Sequence, residues 1–369
     1  MTELRRGWTT GACATAATRA AYAALLTGHF PDPVQITLPR GQTPSFALAV
    51  ERLDDGAAMA GVVKDAGDDP DVTHLALVMS TVTPGPAGSG IQFRAGPGVG
   101  TVTLPGLPLD VGEPAINPVP RQLMRQAVFE VAAEHGTGPE VDLVIEISVE
   151  NGEEIAKHTW NPRLGILGGL SILGTTGVVV PYSCSAWIDS IRRGVDVARA
   201  DGQQHLAGAT GSTSERAVAE LYGLPQLALL DMGDFAGAVL KYVRRHPVPR
   251  LTIAGGFGKL SKLAQGHLDL HSGRSQVDLT ALAELARPLG GDELAAQISA
   301  GTTALHALRL AGSAGVDLGA AVAERALLTC QGVLRGSTVA VDVVVVDRAG
   351  AVVGRAGHEG SELRGRDGE

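Results

Sequence analysis

Four carboxylates crowd the stretch Asp65-Ala66-Gly67-Asp68-Asp69-Pro70-Asp71, and His74 follows three residues later. Such a set supports oxygen coordination of a hard cation, or proton transfer by carboxylate and imidazole. It lacks EF-hand spacing and the terminal Glu, so the competing reading is a solvated acidic turn. Two glycine loops form the next candidates. In Gly174-Thr175-Thr176-Gly177, Gly169 and Gly174 stand at P-loop spacing, but Thr175 occupies the place of the phosphate-binding Lys, which excludes a Walker A loop. Its backbone N–H groups could still hold an anion or a cofactor edge; otherwise it is a turn. The run Leu251–Ala254 ends in Gly255-Gly256-Phe257-Gly258, with Lys259 and Lys262 in the helix expected next. Strand, glycine turn and helix are the context of a nucleotide site, or of close strand-to-helix packing.

Two further patterns carry less chemistry. His267, Asp269 and His271 alternate and would share a face on a strand, as zinc ligands do, but they continue an expected helix that spreads them apart, so no protein-bound metal is expected. Cys13 sits in the first turn of a helix, where the dipole lowers a thiol pKa; with no His or Asp partner evident in the sequence, a small buried residue is the reading.

These residues need elements to position them. An Ala-rich helix is expected from Thr9, Thr10 and Gly11 to a stop at Gly28. Short β runs bounded by Gly, Pro or Asp follow to residue 96, then a Gly- and Pro-rich loop enters a helix capped by Asn117 and stopped by Gly136. Residues 141–160 read as a hairpin turning at Asn151-Gly152. From Ser185 onward short apolar strands alternate with amphipathic helices, which predicts a parallel, doubly wound sheet with its site beyond the carboxyl ends of the strands.

At 369 residues, two domains are expected, each able to bury a core. A formal charge of −9 without a basic stripe argues against nucleic-acid or anionic-membrane partners. Three widely spaced cysteines give no disulfide framework, a reducing cytoplasm is the expected compartment, and no apolar run reaches the ~20 residues of a membrane span.

Five blocks are more specific together than apart: RRGWTTGACATAA from residue 5, DAGDDPDVTH from 65, GPGVGTVTLPGLPLDVGEPAINPVPR from 96, ENGEEIAKHTWNPRLGILGGLSILGTTGVV from 150, and GGFGKLSKLAQG from 255 with His271-Ser272. In this order they resemble the CbiD family of cobalamin-biosynthesis methyltransferases over roughly residues 5 to 350. The resemblance implies an α/β protein: an α+β N-terminal domain similar to domain 2 of ribosomal protein S5, residues 1–162, and a Rossmann-like C-terminal domain, residues 163–369. It further implies an S-adenosylmethionine-dependent enzyme that methylates ring carbon 1 of cobalt-precorrin-5B, giving cobalt-precorrin-6A, with the cobalt carried by the substrate. The chain departs from the family pattern at Leu75, where Gly is usual after Thr-His, at Asp269-Leu270 before His271-Ser272, where Asn-Thr is usual, and at Phe257 in the second glycine loop.

Methyl transfer from a sulfonium is an in-line displacement that needs alignment and exclusion of water rather than a covalent nucleophile. The carboxylate arms of the ring call for cations and helix N-termini. The candidates for the donor are Gly174, Thr175, Thr176 and Gly177 with Gly255, Gly256 and Gly258. For the tetrapyrrole they are Thr9, Thr10, Gly11, Asn161, Arg163, Lys259, Lys262, His271 and Ser272. Asp65, Asp68, Asp69, His74 and Glu113 are candidates to adjust ring protonation or to face the sulfonium. A nucleotide-binding small-molecule kinase and a non-catalytic corrinoid carrier are the alternatives, and a homo-oligomer is left open.

Overall fold

The computed structural model describes residues 4–138 and 140–357. The chain divides into two units, Met1–Cys184 and Ser185–Glu369. The boundary lies beyond the expected 162/163, because residues 166–179 pair only with strands of the first unit: Ile166–Leu167 with Thr101–Val102, Gly169–Leu170 with Gly98–Val99, and Val178–Val179 with Gly7–Trp8.

In the first unit, Thr9 caps helix α1 (Thr10–Thr27) by accepting the Ala12 N–H, and Gly28 ends it in the left-handed conformation with φ 79°. Eight of the helix's alanines are wholly or nearly wholly buried, so small side chains let it lie close against both its neighbours. One neighbour is a five-stranded sheet of β1 (Val50–Asp54), β2 (Ala57–Val63), β3 (Leu77–Pro84), β4 (Ile91–Ala95) and β5 (Leu143–Val149), in the order β1-β2-β3-β5-β4. Only the β5–β4 pair is parallel. The register places Ala58 and Ile145 opposite Val82, Ala60 and Ile147 opposite Ser80, and Val62 opposite Val78, so one face carries the buried side chains.

The other neighbour is helix α2 (Pro118–Glu134), which begins with Pro at its first position after Asn117. The two helices run parallel. An added Cβ at Gly11 would meet Pro120 Cγ at 2.8 Å near their N-termini, while Arg19 pairs with Glu130 at 3.0 Å and Glu134 at 2.5 Å toward their other ends. The expected hairpin at Asn151-Gly152 is replaced by a turn into a short helix, Gly152–Ala156. Asn151 does take positive φ, at 54°, but β5 already has β3 and β4 on its two edges and no edge is left for a return strand.

The second unit opens with helix α3 (Cys184–Ala200) and then alternates β6 (His205–Ala209), α4 (Ser212–Tyr222), β7 (Leu229–Asp231), α5 (Ala236–Arg245), β8 (Arg250–Gly256) and α6 (Phe257–Ala264). Helices α7 (Leu279–Ser299), α8 (Ala304–Ser313) and α9 (Leu318–Leu334) precede β9 (Ala340–Val346) and β10 (Val352–Gly357). The sheet order is β7-β6-β8-β9-β10, parallel except for β10. Val218 of α4 packs on one face with Ala207, Ala254 and Val344, while α3, α5, α6, α7 and α9 contribute to the core on the other. A sheet covered on both sides explains why β9 reads as a nearly unbroken apolar run. The successive strands leave β6 in opposite directions, which puts the topological switch point at the carboxyl ends of β6 and β8. His267 to His271 are not helical as expected: α6 stops at Ala264 and Gly266 turns the chain with φ 89°.

Candidate functional site

The first unit brings most of the sequence-selected residues to one place, and the N-terminal segment stitches them together. Trp8 donates its N–H to the Asp65 carbonyl at 2.7 Å and Thr9 to the Gly177 carbonyl at 3.0 Å. The segment thus lies between the acidic loop and the 174–177 loop. Thr10 Oγ1 accepts the Leu173 N–H at 2.9 Å, and Gly11 donates its N–H to the Leu173 carbonyl at 2.8 Å. Ile172 and Asn117 bond across to Ala115 and Ile172, which adds the 113–117 loop to the same cluster.

Within this hub the acidic loop is a folded device. Asp65 pairs with the Arg5 guanidinium and accepts the Gly67 N–H at 2.9 Å; the Arg5 hydrogen bond, helped by Gly67, holds its carboxyl down at about 2. Asp68 accepts the Arg5 N–H at 2.6 Å, and Asp69 accepts the N–H of Tyr182 at 2.8 Å. Asp71 takes the Lys64 ammonium at 2.7 Å and both the N–H and hydroxyl of Thr73 at 2.7 Å. Lys64 itself is 1% exposed. Asp71 is held below the usual carboxylate range because these partners outweigh the burial that opposes them. His74 Nδ1 accepts the Ala66 N–H at 3.1 Å, which leaves the ring proton on Nε2. Glu113 pairs with Arg121 at 2.8 Å.

Several donors chosen for a ligand are already spent. The N–H groups of Thr9 and Gly11 cap the 173–177 loop, and the Thr9 hydroxyl caps its own helix. Asn161 is 6% exposed, donates Nδ2–H to the Gly169 carbonyl at 3.0 Å and accepts the Ser171 hydroxyl at 2.8 Å, so it holds two segments together. Arg163 stacks on Trp160 at 5.6 Å. The hydroxyl of Thr176 turns back to the Val178 carbonyl at 3.2 Å, while Thr175 is exposed. A Cβ at Gly174 would overlap the Thr9 side chain, and one at Gly177 would come within 2.5 Å of Leu38 Cδ2. Both glycines are required by protein packing and, with φ of 139° and 79°, by backbone conformation. Cys13 is fully buried and its thiol is pushed up to about 12 by burial, so it is no nucleophile.

The strand ends of the second unit behave differently. Gly255 packs tightly, since its Cβ would overlap Leu260, but at Gly256 and at Gly211 an added Cβ meets nothing within 4 Å, and at Gly258 only Ala304 Cβ at 3.9 Å. Gly256 and Gly211 are the N-cap residues of α6 and α4, neither helix has a side-chain cap, and β6 and β8 are neighbours. Lys259 bridges the two loops by donating to the Thr210 carbonyl at 3.1 Å and pairing with Asp234 at 3.1 Å. Asp231 ends β7 on the other flank of β6. Lys262 is 8% exposed and donates to the Leu270 carbonyl at 2.8 Å, so it braces the loop that carries His271 and Ser272. His271 Nδ1 accepts the Gly273 N–H at 3.1 Å, and Ser272 is exposed. No role was expected for Lys64, Arg5, Arg121, Asp231 or Asp234; Arg5 and Arg121 stand at the ends of quoted blocks and Lys64 beside one, but nothing in their spacing announces an anchor.

Fold and site together define an α/β protein whose second unit presents open helix N-termini at a sheet switch point and whose first unit carries a pinned acidic loop. Residues 1–181 match the CbiD family model and residues 269–357 the model described as CbiD, C-terminal domain. Relatives from Brucella anthropi and Paramagnetospirillum magneticum, both named cobalt-precorrin-5B C(1)-methyltransferase, are each 62% identical over 354 residues, covering 96% of this chain and 96% and 98% of theirs. A crystal structure titled cobalamin biosynthesis protein (cbiD) from Archaeoglobus fulgidus is 28% identical over 69% of this chain and 77% of that one, with a TM-score of 0.39. This chain belongs to the CbiD family.

Proposed function

We propose that this chain transfers a methyl group from S-adenosylmethionine to ring carbon 1 of cobalt-precorrin-5B. The observation that carries the reading is identity of 62%, across 96% of both chains, with a relative bearing that name. The chemistry is a displacement: the ring carbon attacks the sulfonium methyl, the C–S bond breaks, and the donor leaves as neutral S-adenosylhomocysteine. The chain's task is then to bind, orient and exclude water, which fits an inert Cys13 and carboxylates already engaged by cations and N–H groups.

The donor binds at the strand ends of the second unit. Its carboxylate meets the α4 and α6 N-termini at Gly211–Ser212 and Gly256–Gly258, and Asp231 serves its ribose hydroxyls. Open space at Gly211 and Gly256, against filled space at Gly174 and Gly177, supports this assignment over the 174–177 loop. Residues 174–177 shape the wall of the first unit, and His74, with Nδ1 accepting the Ala66 N–H and its proton on Nε2, donates a hydrogen bond from Nε2 rather than taking a proton there. Lys259, His271 and Ser272 serve the ring's carboxylate arms. Incubation with cobalt-precorrin-5B tests the reading: it yields one S-adenosylhomocysteine per ring consumed. Ring binding with no donor consumed, or ATP turnover in its place, overturns it.

A further inference from the structure

Arg121 and Arg125 stand one turn apart on α2, and both guanidinium groups lie over the ring of Phe93, at 5.5 and 4.8 Å from its centroid. Their surroundings differ. Arg121 is spent on the loop before its helix: Nε donates to the Ile116 carbonyl at 2.7 Å, one terminal nitrogen to the Pro114 carbonyl at 3.0 Å, and the other pairs with Glu113 at 2.8 Å. Arg125 reaches only the Ile91 carbonyl, at 3.5 Å, and among the described residues no carboxylate pairs with it. Burial, and then the charge of Arg121, push its pKa down, so the neighbour that acts on it is a second cation. Like charges at this spacing on a helix are destabilising, and partial burial adds to the cost. Phe93 lies on β4, an edge strand of the sheet, and Phe93 and Arg125 are each only half-buried, so part of the guanidinium faces solvent.

We propose that Arg125, backed by Arg121 and seated on the Phe93 ring, is a carboxylate subsite that takes one acetate or propionate arm of the macrocycle. The identity of the arm's owner rests on the function proposed above; the subsite's preference for a carboxylate does not. A planar guanidinium presents two parallel N–H groups to a carboxylate, and the aromatic face beneath holds it in that orientation. Arg121 ties the subsite to the 113–117 loop and hence to the hub formed with Ile172 and the start of α1.

The test uses two probes on the full-length protein, cobyrinic acid with its free carboxylates and its fully methyl-esterified derivative, with wild type, Arg125→Gln and Arg125→Lys. The wild type is expected to prefer the acid. Arg125→Gln is expected to lose about tenfold in affinity for the acid, as the loss of a charge-assisted bond implies, with the ester unmoved and the melting temperature not lowered. Arg125→Lys, which cannot bind bidentately, falls between. Equal binding of the acid by wild type and Arg125→Gln, or equal losses on acid and ester, overturns the subsite. A methylating wild type whose KM for cobalt-precorrin-5B is unchanged in Arg125→Gln sinks the subsite and leaves the function standing. The predicted acid-against-ester behaviour without methyl transfer supports the subsite and sinks the function.

Discussion

Lys64 and Asp71 show how a residue that looks catalytic in the sequence is structural in the fold. An ammonium 1% exposed is tolerable only with its carboxylate at 2.7 Å. Asp71→Ala strands that charge and is expected to cost about 3–5 kcal/mol in urea unfolding, whereas Lys64→Met with Asp71→Asn together should recover part of the loss. Asp65 gives a matching signal in acid. Its folded pKa of about 2 lies below the ordinary 3.8, so its contribution is present above pH 3.8 and is lost as pH falls from there toward 2. Arg5→Ala should flatten that part of the melting-temperature profile, and an unchanged profile would mean the pair adds nothing.

At the scale of elements, the glycine loops separate packing from binding. Gly255→Ala and Gly177→Ala force a Cβ into Leu260 and Leu38 and should lower stability by about 1–3 kcal/mol. Gly256→Ala enters open space at φ −64°, so stability should hold while affinity for S-adenosylhomocysteine, measured by calorimetry, falls. Unaltered affinity would remove the donor from this loop. The alternation of strands and helices after Ser185 was legible because a sheet buried on both faces leaves a plain pattern of apolar runs and amphipathic helices. The roles of the glycines were not, since what fills the space at Gly174 is Thr9, from the opposite end of the first unit. The hairpin misreading has the same root: turn chemistry at Asn151-Gly152 is local, but whether β5 has a free edge depends on β3 and β4. Helix end signals such as Gly28 were legible because they act within one turn.

For the whole molecule, stability against pH has a second sensor, in the second unit. Asp342, fully buried in β9, accepts hydrogen bonds from Tyr222, from Thr252 at 2.6 Å and from Arg250 at 3.2 Å, and Thr252 meets His205 Nε2 at 2.7 Å. Burial, then Arg250, pull His205 down to about 4 from 6.5. The unfolded chain binds the proton more readily, so this stability is complete above pH 6.5 and declines as pH falls toward 4. His205→Gln should weaken that slope in thermal melts followed by circular dichroism; an identical slope assigns it elsewhere. Where the methyl group goes decides whether this chain is a C(1)-methyltransferase. Cobalt-precorrin-5B treated with the protein and isotopically methyl-labelled S-adenosylmethionine, then fragmented by tandem mass spectrometry, should carry one labelled methyl, on ring carbon 1. A ring without label, or with the label on another carbon, contradicts the account.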